Sequence, residues 1–135
     1  MIEIRSVNYR KPTAWRRNSA MVGGGVFIDG GIHFVDVIVN LGGLPERVHA
    51  VQLPQVFTGV EGEDGLLMTA RLPGGAAGLI TCSRAAPTKS DVQTVTITGS
   101  ECTLDFSPRD NELTIETRDA QRTVRLPAAH RGVRG

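Results

Sequence analysis

Three ionisable residues lie inside an apolar run that glycines enclose at both ends, between residues 23 and 43. On an α-helix, which turns by about 100° per residue, Asp29, His33, Asp36 and Asn40 share a stripe about 60° wide. An aspartate one turn before a histidine can accept a hydrogen bond from the imidazole and fix its tautomer. The other ring nitrogen is then free to exchange a proton with a ligand.

The same stripe has a simpler interpretation as the polar side of an amphipathic helix, with Asp29 near the positive N-terminal end. Gly30 and Gly31 argue against that interpretation, because each weakens a helix interior by about 0.5–1 kcal/mol relative to alanine. Their missing side chains allow a second backbone, a cofactor or a substrate to come close. A metal site is not favoured, because it needs further ligands and only Asp36 and His49 are candidates.

One long helix and eight short strands must position these residues. The helix begins near Val26 and ends at the glycines and proline of residues 42–45. Hairpin-length connectors at residues 73–75 and 99–101 predict antiparallel neighbours. The strands are predicted within residues 1–10, 47–56, 64–72, 76–83, 91–98, 102–106, 112–117 and 122–126. The predicted fold class is α+β, a large, mostly antiparallel open sheet with the helix packed on one face and the other face available for oligomerisation.

The chain of 135 residues has room for one core. A single domain is predicted over residues 1–126, followed by a flexible C-terminal tail over residues 127–135 in which His130 is solvated.

Composition excludes several kinds of partner. The formal net charge is +1 and only 4% of the residues are aromatic, which argues against nucleic-acid binding. No apolar stretch is expected to approach the ~20 residues of a membrane span. Cys82 and Cys102 have no metal-ligand spacing and are interpreted as buried free thiols in preference to a disulfide. Together with the lack of a signal peptide, this predicts a cytoplasmic protein.

The strand that contains Val95 and Ile97 has threonines on its other face. Such a surface is flat, moderately polar and suited either to solvent or to packing against another sheet. The prediction is a homo-dimer or tetramer formed through this face, with threonine in place of the charged residues of a solvated surface. The threonines concerned are Thr94, Thr96, Thr98, Thr103, Thr114 and Thr123.

Several motifs in this order closely resemble the C-terminal domain of the Gfo/Idh/MocA oxidoreductases. They are Trp15-Arg16, the glycine triplet at residues 23–25, Asp-Gly-Gly-Ile-His-Phe-Val-Asp at residues 29–36 and Leu-Gly-Gly-Leu-Pro-Glu-Arg-Val-His-Ala at residues 41–50. The resemblance continues through the hairpin at residues 63–83 and the strand pair at residues 97–106, where Glu101 stands in place of the family's second glycine. It covers about residues 1–126.

Enzymes of that family oxidise or reduce a sugar or polyol hydroxyl at a nicotinamide held by an N-terminal Rossmann domain. The resemblance implies that Asp29 and His33 are catalytic, with His33 the proton-transferring group or a substrate ligand and Asp29 its orienter or a ligand of a substrate hydroxyl. It implies that Arg16, Trp15 and Asp36 bind the substrate, in a cleft lined by the helix.

The cofactor half of such an enzyme is missing from these residues, which contain no Gly-x-Gly-x-x-Gly and no βαβ unit. Lys11 follows Arg10, whereas the family's lysine follows a glutamate, so Lys11 is not given that lysine's role. No cofactor is therefore expected to bind this chain alone, and NAD(P) is implied for the complete enzyme.

The favoured interpretation is the substrate-binding and oligomerisation domain of such an oxidoreductase, inactive without a Rossmann domain supplied in the full-length protein or by a split partner. The alternatives are a stand-alone, non-redox binding or oligomerisation module, and an isomerase that uses His33 and Asp29 directly.

Overall fold

The computed structural model describes residues 1–87, 91–108 and 110–125. The helical part begins with a 3₁₀ turn, Ala14–Arg17, and a short helix α1, Ser19–Val22. A π-helical turn, Phe27–Gly31, then leads directly into the main helix α2, Ile32–Gly42. The predicted tail, with His130, lies outside the described residues.

The strands form one sheet of eight. In chain order they are β1 Ile2–Val7, β2 Arg47–Gln52, β3 Gly65–Arg71, β4 Ala77–Ser83, β5 Val92–Thr98, β6 Thr103–Ser107, β7 Glu112–Glu116 and β8 Gln121–Arg125. Their order across the sheet is β2-β3-β4-β1-β5-β6-β7-β8. The predicted α+β class and the mostly antiparallel sheet are confirmed.

One pair of strands departs from the antiparallel pattern. The first strand, β1, lies between β4 and β5, and it is parallel to β4, with Ile4 opposite Ile80, and antiparallel to β5, with Ile4 opposite Val95. Since parallel strands need a long crossover connection, this pairing depends on the helical segment and on the β2–β3 hairpin that separate β1 from β4.

The hydrophobic core lies between α2 and the β3, β4 and β1 strands. Ile4, Ile38 and Ile80 are fully buried and belong to one cluster. Gly78 lets the helix approach the sheet, because a Cβ at this position would lie 3.0 Å from Cδ1 of Ile38. Alternate residues of these strands therefore face α2, and the residues between them face away from it.

The strand register defines the face of the sheet that is turned away from α2, here called the open face. Glu3 pairs with Thr96, which pairs with Asp105, and the same row continues through Thr114 and Thr123. The six predicted threonines therefore share one face. The prediction that they replace charged residues is wrong, because the alternation of the strands also places these charged residues on the open face: Glu3, Arg5, Arg47, Arg71, Asp105, Glu112, Glu116 and Arg125.

The helical stretch Ser19–Gly42 is 24 residues long and, by length and composition alone, could cross a membrane. The prediction that no apolar stretch approaches this length is therefore wrong. The core helix of a soluble protein meets the same two criteria, so a single such stretch is weak evidence for a membrane span. Phe34 and Ile38 of this stretch belong to the buried core cluster, whereas only 22% of the apolar window is buried.

Both cysteines are free thiols, as predicted, but the predicted burial holds only for Cys82. Cys82 is buried on β4, and this burial raises the pKa of its thiol to about 11. Cys102 is partly exposed beside the β5–β6 turn.

Candidate functional site

The π-helical turn Phe27–Gly31 holds the first candidate, Asp29. The N–H of Ile32 bonds to the carbonyl of Phe27, five residues earlier, which makes this turn wider than an α-helical one. Gly31 permits the close packing inside the turn, because a Cβ at this position would overlap the ring of Phe27. Such single π turns occur frequently at functional sites.

The start of this turn is anchored by Glu63, which lies just before β3. Its Oε1 accepts a hydrogen bond from Phe27 N–H at 2.9 Å, and its backbone carbonyl accepts one from Val26 N–H at 2.8 Å. The helix start that follows the glycine triplet is therefore already occupied by a carboxylate of the chain itself.

Asp29 lies between two arginines. Arg16 Nε–H donates to Asp29 Oδ1 at 3.2 Å, and Arg84 Nη1 lies 2.5 Å from Asp29 Oδ2. Burial of the carboxyl, whose side chain is 11% exposed, would raise the pKa of Asp29. The hydrogen bonds and charges of Arg84 and Arg16 outweigh this effect and lower the pKa below its ordinary value of 3.8, so Asp29 is ionised at neutral pH.

The sequence did not identify Arg84, which follows the last residue of β4. Its N–H donates to the carbonyl of Asp64 at 2.9 Å, and its own carbonyl accepts from Arg10 N–H at 2.8 Å. Gly30 leaves space beside it, since a Cβ on Gly30 would lie 3.4 Å from Arg84 Nη2. Recognition that β1 and β4 are parallel would have indicated this residue, because the carboxyl ends of parallel strands lie at the same edge of a sheet.

Trp15 and Arg16 belong to the 3₁₀ turn Ala14–Arg17, on the outer side of the site. The guanidinium carbon of Arg16 lies 4.3 Å from the centre of the Trp15 ring, in a cation–π contact. Trp15 is 44% exposed. The indole therefore supports the arginine that binds Asp29, and the structure brings together three of the predicted site residues: Trp15, Arg16 and Asp29.

His33 and Asp36 lie apart from this group. Both are exposed on α2, and His33 has no hydrogen bond or ion pair within the described part of the chain. The hydrogen bond predicted between Asp29 and His33 is not formed: the oxygens of Asp29 point to Arg16 and Arg84, and a π turn, wider than an α-helical one, lies between Asp29 and His33. The predicted roles of Asp29, His33 and Asp36 in catalysis and substrate binding stay predictions.

Two cavities meet at Arg84. The larger one, of about 150 Å³, is lined by Arg10, Lys11, Pro12, Thr13, Arg16, Asp29 and Arg84. The smaller one, of about 70 Å³, is also lined by Arg84, together with residues that include Ser6, Asn8 and Gly30. The Oδ1 atom of Asn8 is buried and accepts no hydrogen bond from the residues that the structure describes.

Among the residues that the structure describes, no group of three or more histidine, cysteine, aspartate or glutamate side chains could hold a metal ion. His49, the distant candidate ligand, pairs with Thr69 on the open face and lies across the sheet from Asp36 on α2.

Comparisons with known proteins place this geometry in a family. A family model described as the GFO/IDH/MocA C-terminal domain matches residues 1–105. No curated protein sequence matches the chain closely enough to count as a relative.

Solved structures share the fold at low sequence identity. Levoglucosan dehydrogenase in complex with NADH and levoglucosan superimposes with a TM-score of 0.81 at 22% identity, over 93% of this chain and 39% of that one. An NAD-binding oxidoreductase from Klebsiella pneumoniae gives a TM-score of 0.79 at 22% identity, over 92% of this chain and 38% of that one. For an inositol dehydrogenase homologue from Azotobacter vinelandii, complexed with NAD+, the TM-score is 0.78 at 18% identity, over 92% of this chain and 36% of that one.

The chain spans well under half the length of these structures. The family model nevertheless covers most of the chain, including the π turn, α2 and the first five strands. The chain therefore belongs to the Gfo/Idh/MocA family, and the part of that family it represents is the C-terminal domain.

Proposed function

We propose that this chain is the substrate-binding and oligomerisation domain of a Gfo/Idh/MocA-type oxidoreductase that acts on a sugar or polyol. The observation that carries the proposal is the ionised Asp29, fixed between Arg16 and Arg84 at the wall of a polar cavity. The solved relatives, one bound to NADH and levoglucosan and another to NAD+, support NAD(P) as the cofactor of the complete enzyme.

The residues of this chain do not fit a dinucleotide. A pyrophosphate needs free N–H groups at a glycine-rich helix start, and at the one helix start here that follows a glycine triplet the carboxylate of Glu63 already accepts the hydrogen bond of Phe27 N–H. The nicotinamide is therefore assigned to a Rossmann domain in the rest of the polypeptide or in a separate chain, and the 135 residues alone are inactive.

The roles of this chain's own residues follow from their charge and exposure. Asp29 stays ionised and can accept a hydrogen bond from a substrate hydroxyl. His33, exposed on the next turn of the helix, can take the proton of a substrate hydroxyl on a ring nitrogen. Arg16 binds the substrate at the cavity wall. Trp15, which contacts Arg16, and Asp36, farther along the helix, are further substrate contacts.

The open face is proposed as the surface of a homo-dimer or tetramer. Its β2–β3 side carries Arg47, His49 and Arg71, and its β6–β7 side carries Asp105, Glu112 and Glu116. A two-fold axis parallel to the strands, near the centre of the sheet, would place the basic side of one copy on the acidic side of the other.

The proposed location is the cytoplasm, where free thiols such as those of Cys82 and Cys102 are the norm. A nucleic-acid or membrane partner is not proposed.

The test of the proposed function is reconstitution. The chain is produced together with the Rossmann domain encoded in its own gene or in a neighbouring one, and the reduction of NAD+ or NADP+ is followed with a panel of sugars and polyols. We expect turnover only when both parts are present, and a loss of about 100-fold or more in kcat for His33→Gln. Asn40→Gln, which keeps an uncharged amide at an exposed position of the same helix, is the matched control.

Two results would contradict the proposal. One is micromolar binding of NADH to the 135 residues alone, measured by calorimetry, because it would place the cofactor site in this chain. The other is the absence of oxidation of every sugar and polyol by a reconstituted pair that binds NADH.

A further inference from the structure

The cavity beside Asp29 has an unbalanced charge. Four cationic residues line it, Arg10, Lys11, Arg16 and Arg84, and Asp29 is the one acidic residue among the lining residues. The formal surplus is three positive charges, whereas the whole chain has a net charge of only +1. Like charges so close together repel each other unless an anion lies between them.

The pairing of these groups leaves donors free. Arg16 and Arg84 share the single carboxylate of Asp29, and Arg16 uses its Nε–H for that bond. Within the described ranges, the side chains of Arg10 and Lys11 have no hydrogen-bond or ion-pair partner. A guanidinium group presents five N–H donors in a fixed fork, which suits the oxygens of a carboxylate or a phosphate.

The site is held in place by the surrounding structure. Arg84 is only 18% exposed on its side chain, and backbone hydrogen bonds connect it to Asp64 and to Arg10. The cation–π contact with Trp15 supports Arg16. Asp29 therefore acts as a positioning residue that aligns two guanidinium groups on the same cavity.

The size of the site indicates what kind of molecule enters. A volume of about 150 Å³ is roughly five times the ~30 Å³ that a water molecule occupies in the liquid, enough for one acidic group with a few carbons. An adjoining cavity that shares Arg84 is lined in part by Asn8, whose buried Oδ1 accepts no hydrogen bond from the described residues.

We propose that this cavity is an anion subsite, and that the substrate is a polyhydroxylated molecule with a carboxylate or phosphate group that the Arg10, Lys11, Arg16 and Arg84 side chains bind. The assignment of this anion to the substrate rests on the proposed function. The anion site itself rests only on residues of this chain.

The test is an NMR titration of the ¹⁵N-labelled 135-residue chain at constant ionic strength. Glucuronate, glucose 6-phosphate and neutral glucose are added separately, and the Nε–Hε signals of Arg16 and Arg84 are followed. We expect glucuronate or glucose 6-phosphate to shift both signals and to bind at least about tenfold more tightly than glucose. The stronger of the two anions identifies the acidic group as carboxylate or phosphate.

Two variants that each lose one positive charge show whether the anion binds in this cavity. Arg10→Gln removes a cavity cation and is expected to weaken the binding of the preferred anion about fivefold to tenfold. Arg5→Gln removes an arginine of the same exposed type on the open face and should leave the affinity unchanged. Equal effects of the two substitutions would overturn the assignment to this cavity.

Other outcomes overturn the proposal directly. One is binding of glucose that is as tight as the binding of both anions. A second is the absence of any shift with either anion, because all the side chains proposed to bind the anion belong to this chain. NADH is titrated separately, and a third such outcome is that NADH shifts the arginine signals whereas neither acidic sugar does, which would assign the site to the cofactor's phosphates. The titration uses no redox reaction, so its result and that of the reconstitution can fail independently.

Discussion

Asp29 differs from the other acidic residue of the helix in what surrounds it. Asp29 is nearly buried and pairs with two arginines. Asp36 is exposed, and its backbone carbonyl accepts a hydrogen bond from the side-chain amide of Asn40 at 2.8 Å. Two carboxylates seven residues apart on one helical segment therefore make different contributions to stability.

We expect Asp29→Asn to lower the free energy of unfolding at pH 7 by about 1–3 kcal/mol, because it leaves Arg16 and Arg84 without their carboxylate. The pKa of Asp29 is lower in the folded chain than its ordinary value of 3.8, so the ionised form stabilises the fold above that pH. This contribution is lost as the pH falls through the lowered pKa. The difference between the variant and the wild type in urea unfolding should therefore shrink below pH 3.8.

The matched control for this prediction is Asp36→Asn, which removes the same charge from an exposed position and should change stability by less than about 0.5 kcal/mol. Equal stability of Asp29→Asn and the wild type at pH 7 would show that the two ion pairs contribute nothing to the fold.

The sequence predicted part of this site at the level of residues. Asp29, Arg16 and Trp15 were identified. In the structure Arg16 contacts both Asp29 and Trp15, and all three lie in elements that are close together in the sequence. Arg84 was not identified, because it is 55 residues from Asp29 along the chain and no motif marks it. A contact of that kind depends on which strands pair, and that information is not contained in local periodicity.

The π turn is the element that sets the position of Asp29. Gly30 and Gly31 both lie in it, and an added methyl group would meet different surroundings at each. At Gly31 it would overlap the ring of Phe27, whereas at Gly30 it would lie at ordinary contact distance from Arg84. The two glycines therefore have separate functions in the turn.

We expect Gly31→Ala to lower the free energy of unfolding by about 1–3 kcal/mol, because Phe27 must move out of the core to admit the methyl group. Gly30→Ala is the control and should be neutral or slightly stabilising, since alanine favours a helix by about 0.5–1 kcal/mol over glycine. Urea denaturation of both variants measures the difference. Equal changes in the two proteins would refute the packing explanation for Gly31.

Strand periodicity and turn residues predicted all eight strands, but β2 ends at Gln52 and not at residue 56. Pro54 accounts for the shorter strand, because proline has no N–H for the sheet ladder. The π turn and the parallel pairing of β1 could not be read from the sequence. The π turn depends on a hydrogen bond that spans five residues instead of four. The parallel pairing depends on β4, whose residues lie 76 positions after their partners in β1.

On the scale of the whole molecule, the open face is the surface through which association is proposed. If two copies associate through it, Thr96→Lys should produce a monomer in analytical ultracentrifugation at micromolar concentration, because a long charged side chain is then placed at the centre of the interface. Thr96 donates a hydrogen bond to Asp105, so a lysine at this position can pair with the same carboxylate and leave the fold intact.

Thr58→Lys is the control for association, since it adds the same charge to an exposed loop outside the sheet. The proposed pairing of basic and acidic sides also predicts that the wild-type dimer weakens as NaCl is raised from 0.05 M to 0.5 M. A wild-type monomer at micromolar concentration and low salt would rule out this interface for the 135 residues.

The central position of β1 constrains the order in which the chain can fold during synthesis. Ile2 is synthesised before both of its neighbours in the sheet, Gly78 and Ile97. At about 5–20 residues per second, both partners appear several seconds later. The apolar side chains of β1 therefore remain without their final contacts until most of the domain has been made, and folding depends on late, long-range pairing and not on hairpins added one at a time.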